Sequence, residues 1–146
     1  MPGKVKFVDE IPALTKEANA LYKKGVKIII AVGHSGFDKD REIAQKVPHL
    51  DLVVGGHSNT FLYTGEPLPS IEKPEGNYPF LVEQKNGREV PVVQAFCHTK
   101  YLGYLKLSFD ENGELSKYEG NPKLLDNTLP QGRAYLKFLA SNCDSR

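Results

Sequence analysis

The spacing of apolar residues changes at Gly25. From Asp9 to Lys24 they recur every three or four positions with charged residues between them, which predicts an amphipathic helix. Gly25 is a suitable residue for ending that helix, and the segment from Val26 to Val32 that follows is mostly β-branched. A continuous apolar run of this kind predicts a strand that is buried on both faces.

A second helix and a second strand follow the turn at residues 33–36. Residues 38–46 are acidic at their start and end just before Pro48, which predicts a helix, and residues 52–54 predict a short strand. Parallel neighbours need a connection of about a dozen residues, usually helical, and residues 36–51 have that length. The pattern therefore predicts two adjacent parallel strands, whose carboxyl ends lie at the edge where open α/β sheets bind ligands.

The second half of the chain has the signals of antiparallel structure. Residues 61–76 are rich in Pro, Gly and Ser, which predicts a long surface loop. An Asn86-Gly87 pair then separates two strand-like segments, and such a pair is a strong hairpin signal. The alternation of residues predicts two hairpins, one from strands at 78–83 and 89–96, the other from strands at 103–109 and 114–118.

The last part of the chain has a weaker pattern. Beyond Asn121, prolines at positions 122 and 130 bracket a segment predicted to be irregular, and residues 133–140 are compatible with a short helix. Taken together, the elements predict the α/β class with a hairpin-rich second half.

Composition narrows the possible classes of protein. The chain has 146 residues, 40% of them hydrophobic and 25% charged, which are the values of a single globular domain. Nineteen basic residues stand against eighteen acidic ones, without a long basic run, so nucleic acid is a poor candidate partner. The chain begins without a secretory apolar segment and contains no apolar run that would span a bilayer, so we expect no membrane segment.

Two histidines follow the predicted parallel strands in the same local context. His34 and His57 each come after a β-branched run and glycine, and each precedes serine. Neutral imidazole is the commonest metal ligand, and a glycine-flanked strand end gives it a rigid mount. Either histidine alone has a purely structural explanation, but the repeated context favours a shared metal site.

Other chemistry fits these motifs less well. Residues 33–37 resemble the Gly-x-Ser-x-Gly nucleophile elbow around Ser35, but Phe37 stands where the last glycine is needed. Gly55-Gly56 is not followed by the Lys-Ser/Thr of a phosphate-binding loop. The only two cysteines, Cys97 and Cys143, do not form a C-x-x-C pair, so no disulfide framework is indicated.

The two remaining histidines have simpler interpretations. His49 follows a proline at a predicted helix end, which is typical of a surface residue. His98 lies near the end of a predicted strand and is a candidate third ligand, although a partly buried structural histidine is the favoured interpretation.

Three segments together resemble the ecto-5′-nucleotidase and apyrase family of calcineurin-like metallophosphoesterases. The segments are Gly33-His34-Ser35-Gly36-Phe37, the stretch from Val53 to Gly65 that contains Gly-Gly-His-Ser-Asn, and Lys100-Tyr101-Leu102-Gly103-Tyr104-Leu105. The resemblance extends over about residues 7–130. It implies hydrolysis of nucleoside 5′-phosphates (AMP, or ADP and ATP in apyrases) at a two-metal centre, usually zinc.

The resemblance also implies a fold and site residues. The fold would be part of the metallophosphoesterase sandwich, with mixed sheets flanked by helices, over residues 1–130, followed by a divergent tail at 131–146. His34 and His57 would ligate the same one of the two metals. Asn59 would lie near the other metal and the substrate phosphate. No residue of this chain inherits a catalytic role.

Several family motifs have no counterpart in these residues. The chain contains no Asp-x-His, no Gly-Asp and no Asn-His-Glu. From the resemblance we also expect no counterpart of the family's nucleoside-binding domain within these residues. The resemblance thus predicts a fragment of a 5′-nucleotidase-type phosphohydrolase that is inactive in isolation, with the second metal unliganded. The alternative is a short non-catalytic protein that binds metal or a partner. Members of the family are extracellular, secreted or lipid-anchored, and the sequence predicts no oligomeric state.

Overall fold

A computed structural model describes residues 3–129, which form two helices and two β-sheets. The elements in chain order are α1 (Glu10–Lys23), β1 (Ile30–Val32), α2 (Phe37–Lys46), β2 (Leu52–Val54), β3 (Phe80–Glu83), β4 (Glu89–Val93), β5 (Tyr101–Phe109) and β6 (Leu115–Leu124). The predicted α/β class is confirmed. The predicted helix at 133–140 and the tail from Gln131 lie outside the described residues.

The larger sheet contains four strands in the order β1-β2-β4-β3. β1 and β2 are parallel neighbours, with Ile30 opposite Leu52 and Val32 opposite Val54, as the length of the crossover predicted. β4 also runs parallel to β2, and β3 returns antiparallel beside it. The hairpin was predicted, but its docking onto β2 was not, because alternation along a strand does not identify the strand's neighbour.

The prediction that residues 26–32 form a strand buried on both faces is wrong. The strand covers only Ile30–Val32 and lies at the edge of its sheet. Val32 is 78% exposed and Ile30 is 52% exposed, whereas Ile29 is only 6% exposed. Within residues 3–129 no strand pairs with the outer side of β1. The apolar run at residues 26–32 thus indicates a β-branched composition that favours a strand. It does not indicate whether the strand lies at the centre or at the edge of the sheet.

Helix α2 packs against the sheet and contributes buried residues to the same core as β2 and β4. Ile43 and Ala44 of this helix are buried with Val53 of β2 and Val92 of β4. The helix begins after Gly36, whose φ of 93° is a conformation that glycine adopts at little cost. The start of α2 therefore lies next to the carboxyl ends of the parallel strands.

The second sheet is the β5–β6 hairpin, and β6 is longer than predicted. It continues through Pro122 to Leu124, so the expected irregular segment after Asn121 begins later. Pro122 pairs with Gly103 of β5, the only strand beside β6 in the described part of the chain. Proline is tolerated in such edge strands, which explains why it did not end the pairing.

Candidate metal centre

His34 and His57 leave the sheet side by side at the carboxyl ends of β1 and β2. The Gly33 N–H donates to Val54 O at 2.9 Å, and the Gly55 N–H donates to Val93 O at 2.9 Å, so the parallel ladder continues one residue past each strand. The two imidazole centroids are 5.5 Å apart, with their planes at 69°. Two residues that are 23 positions apart in sequence (57 − 34) are thus brought together by the parallel register.

This separation fits two ligands of one tetrahedral cation. Zinc–nitrogen bonds of about 2.0–2.1 Å at a tetrahedral angle would put the ring centroids roughly 5 Å apart. Both histidines are exposed, so a cation would have access to them. Among residues 3–129, no cluster of three or more His, Cys, Asp or Glu side chains is arranged to hold a metal ion. Two imidazoles would make up half of a tetrahedral shell.

The turn that carries His57 has an unusual backbone conformation and is fixed by hydrogen bonds. His57 has a φ of 72° and Asn59 a φ of 55°, in the left-handed region that few non-glycine residues adopt. Ser58 Oγ accepts the Phe37 N–H at 3.0 Å, which ties the turn to the start of α2. Such strain persists only where the surroundings enforce it, and it is typical of functional sites.

The side chain of Gln94 links the His57 turn to helix α2 by hydrogen bonds. It directly follows β4, is 4% exposed, and its Nε2 donates to Asp40 Oδ2 at 2.7 Å and to Gly56 O at 2.9 Å. Its Oε1 accepts the Thr60 N–H at 3.0 Å. Gln94 is not among the site residues predicted from the sequence. The signal that would have found it is a polar residue at the carboxyl end of a third parallel strand.

Asp40 is a buried carboxylate on α2 behind the histidines. It is 1% exposed, and its Oδ1 has no hydrogen-bond partner within the described residues. Burial raises the pKa of the Asp40 carboxyl, while the hydrogen bonds from Gln94 and the Gly56 N–H and the nearby charge of His34 act in the opposite direction. Asp40 is not among the predicted site residues either, because its position in the sequence indicates only the acidic first turn of a helix.

The paired glycines before His57 explain how closely these groups approach. A Cβ on Gly55 would lie 1.9 Å from Asp40 Oδ2, and a Cβ on Gly56 would lie 2.8 Å from His34 Nδ1. Any side chain at either position would displace a polar group of the site. The Gly-Gly sequence is therefore needed for close packing.

The other candidates lie apart from the imidazole pair. Ser35 Oγ donates to Glu10 Oε1 at 3.3 Å, a contact with an exposed carboxylate and not with a histidine. His49 stacks on Tyr22 with centroids 3.9 Å apart and is half-buried, so it is not a simple surface residue. His98 is exposed in the turn after β4, so its favoured interpretation as a partly buried structural histidine is wrong. Asn59 is exposed two residues after His57.

Comparison with known proteins identifies the family. No protein-family model matches the chain. It is 58% identical over 125 residues to 5′-nucleotidase of Homo sapiens and 54% identical over 127 residues to snake venom 5′-nucleotidase of Macrovipera lebetinus. Over these residues the chain belongs to the 5′-nucleotidase family. The matches cover 86% and 87% of this chain but only 22% and 31% of the two relatives.

Two solved nucleotidase structures have the same fold in the matching region. The crystal structure of a 5′-nucleotidase precursor from Thermus thermophilus superposes with a TM-score of 0.79 at 30% identity, over 96% of this chain and 27% of that one. The NAD nucleotidase of Haemophilus influenzae gives a TM-score of 0.76 at 30% identity, over 99% of this chain and 28% of that one. The resemblance seen in the motifs is thus confirmed.

None of the helices within residues 3–129 is both long enough and apolar enough to cross a membrane.

Proposed function

We propose that these residues form one side of the two-metal centre of a 5′-nucleotidase-type phosphohydrolase. In this proposal His34 and His57 ligate the same divalent cation, and Asn59 lies toward the second cation and the substrate phosphate. The single observation that carries it is the 5.5 Å approach of the two imidazoles at the carboxyl edge of the sheet. Membership of the 5′-nucleotidase family supports it.

The cations would come with the rest of the site. In two-metal phosphohydrolases they activate a water molecule and stabilise the leaving oxygen, and imidazole ligands suit zinc. The residues of this chain would hold the two histidines in position before a cation binds. Ser58 and Gln94 hold the His57 turn at fixed distance from α2, so the ligands need little rearrangement to bind a cation.

The substrate class would be nucleotides. The relatives from human and snake venom are named as 5′-nucleotidases, and the Haemophilus influenzae neighbour is named as an NAD nucleotidase. All of these names describe enzymes that act on nucleotides. We propose AMP, or ADP and ATP, as substrates of the protein in which these residues operate, and an extracellular location in keeping with the venom relatives.

A chimera tests this function in the context of a complete site. The residues of human 5′-nucleotidase that match this chain would be replaced by those of this chain, and phosphate release from AMP would be measured. We expect the chimera to remain active. His34→Ala or His57→Ala should lower kcat/KM by more than about 100-fold, since removing outer partners of metal ligands already costs about 10–100-fold.

The matched control is His98→Asn, which removes another exposed histidine at a backbone conformation that asparagine tolerates. This variant should retain the activity of the chimera. Full activity of a correctly folded His57→Ala chimera would refute the assigned ligand role.

One observation favours a second candidate function for the 146-residue chain by itself. The described residues offer two imidazoles and no third ligand side chain beside them. A chain with this arrangement would bind a divalent cation weakly without catalysing hydrolysis. Isothermal titration with zinc tests this candidate, and tight binding that survives the combined His34→Ala and His57→Ala changes would place the metal elsewhere.

A further inference from the structure

Asp40 has features that the stability of the fold does not explain. Its carboxyl group is almost fully buried, yet one of its oxygens has no hydrogen-bond partner among the described residues. A buried acceptor without a partner is costly, and such a group calls for a specific explanation. No lysine or arginine within residues 3–129 forms an ion pair with it either.

A second buried carboxylate in the same sheet provides the contrast. Asp51, at the start of β2, is 2% exposed, but its Oδ2 accepts the Ile29 N–H at 2.7 Å and its Oδ1 pairs with the Arg88 guanidinium. Asp51 is thus a fully paired structural acid. Asp40 is equally buried at the opposite end of the strands, and the side chain that donates to it among residues 3–129 is the neutral amide of Gln94.

The position of Asp40 relates it directly to the histidine pair. Its carboxylate lies against the Gly55 backbone, and the next residue, Gly56, packs against His34 Nδ1. Gln94 Nε2 bridges Asp40 Oδ2 and Gly56 O, so the carboxylate, the turn and the amide form one unit.

We propose that Asp40 is a positioning residue for the metal centre: it holds the Gly55–Gly56 turn against α2 and places negative charge behind His34, so that both imidazoles are set to receive a divalent cation. This inference rests on the proposed function of His34 and His57. The unpaired oxygen is then the source of a field directed at the site, since a buried charge beside a ligand increases the attraction for a cation.

The test compares two buried carboxylates with the same substitution. Asp40→Asn and Asp51→Asn would be made in the 146-residue chain, with Co²⁺ as the probe, its binding followed by visible absorption and the fold by urea unfolding. Asp40→Asn should weaken Co²⁺ binding about tenfold or more, in the range found for outer partners of metal ligands, with an unfolding midpoint equal to or above that of the wild type. Asp51→Asn should lower the midpoint and leave Co²⁺ affinity unchanged.

A metal-free measurement separates failure of this inference from failure of the proposed function. At fixed pH, Asp40→Asn should shift the ring ¹⁵N resonances of His34 in the metal-free chain, whereas Asp51→Asn should not. If the wild type and His57→Ala bind Co²⁺ equally poorly, the two histidines do not form a metal site in this chain, whereas a selective His34 shift would show only that Asp40 positions this imidazole.

Two results would overturn the inference. One is unchanged Co²⁺ affinity and unchanged His34 resonances in folded Asp40→Asn. The other is loss of stability in Asp40→Asn as large as that in Asp51→Asn, with Co²⁺ binding lost only in proportion to unfolding, since this would make Asp40 a structural acid.

Discussion

The two ends of the parallel strands β1 and β2 differ in how their polar groups are satisfied. At the amino ends, Asp51 is buried and paired with both a peptide N–H and Arg88. At the carboxyl ends, the imidazoles of His34 and His57 are exposed, and one oxygen of buried Asp40 has no hydrogen-bond partner in the described part of the chain. Buried polar groups with hydrogen-bond partners stabilise the folded state. Polar groups without partners and residues with strained backbone conformations persist where a function requires them. We infer that one end stabilises the domain and the other end serves chemistry.

Arg88 makes the amino end a junction of three parts of the fold. Its guanidinium pairs with Asp51, donates to Leu50 O at 3.1 Å and donates to Glu114 at 2.9 Å. It thereby links β2, the β3–β4 hairpin and the β5–β6 hairpin. A cavity of about 530 Å³ opens beside this junction, bordered by the stacked rings of Tyr22 and His49.

The largest expected effect concerns catalysis at the carboxyl end. The 146-residue chain should release no phosphate from AMP above buffer background, because two imidazoles cannot hold the two cations that the reaction needs. Phosphate assays with Zn²⁺ or Co²⁺ test this expectation. Release at a rate comparable with the human relative, abolished by His57→Ala, would contradict it.

The next effect tests the amino end. Asp51→Ala should lower the free energy of unfolding by about 3 kcal/mol, because it leaves the Arg88 guanidinium without its buried partner. Urea unfolding measures the loss. Glu114→Ala is the control, since this partner of Arg88 is 59% exposed and an exposed pair contributes less than about 1 kcal/mol. Equal losses in both variants would remove the distinction between the buried and the exposed partner.

A smaller loss of stability is expected from a change in backbone packing at the carboxyl ends of the parallel strands. Gly55→Ala should cost about 1–3 kcal/mol and displace Asp40, because the added Cβ would lie 1.9 Å from Asp40 Oδ2. Gly33→Ala is the matched control, since a Cβ there meets nothing within 4 Å. If the two alanine variants unfold at the same urea concentration, the turn is looser than the described geometry requires.

The smallest effect is a pH dependence in the loop that follows the His57 turn. Hydrogen bonds from Lys100 and from Tyr101 lower the pKa of Glu72 from 4.5 to about 2. Because this pKa is lower in the folded state, the stabilisation is present above pH 4.5 and is lost as the pH falls toward 2. Unfolding midpoints between these pH values should fall less steeply for Glu72→Gln than for the wild type. Tyr101→Phe, which removes one donor, should lie between them, and an unchanged slope in Glu72→Gln would contradict the assignment.

Local patterns predicted the parts of the fold that depend on neighbouring residues. The helical spacing before Gly25 and the Asn86-Gly87 turn act over a few positions, so they could be recognised without tertiary information. The parallel pairing of β1 with β2 followed from the length of one crossover, and that pairing brought His34 and His57 together as predicted.

The sequence by itself thus determined the order of the helices and strands, the family and the two candidate ligands, because each of these depends on local periodicity or on a short motif. Only the tertiary structure decided that β1 is an exposed edge, that β4 lies beside β2, and that Asp40 and Gln94 meet behind the histidines. These last two residues are 54 positions apart. Their hydrogen bond depends on how α2 and β4 pack, and neither residue carries a local signal that specifies the other.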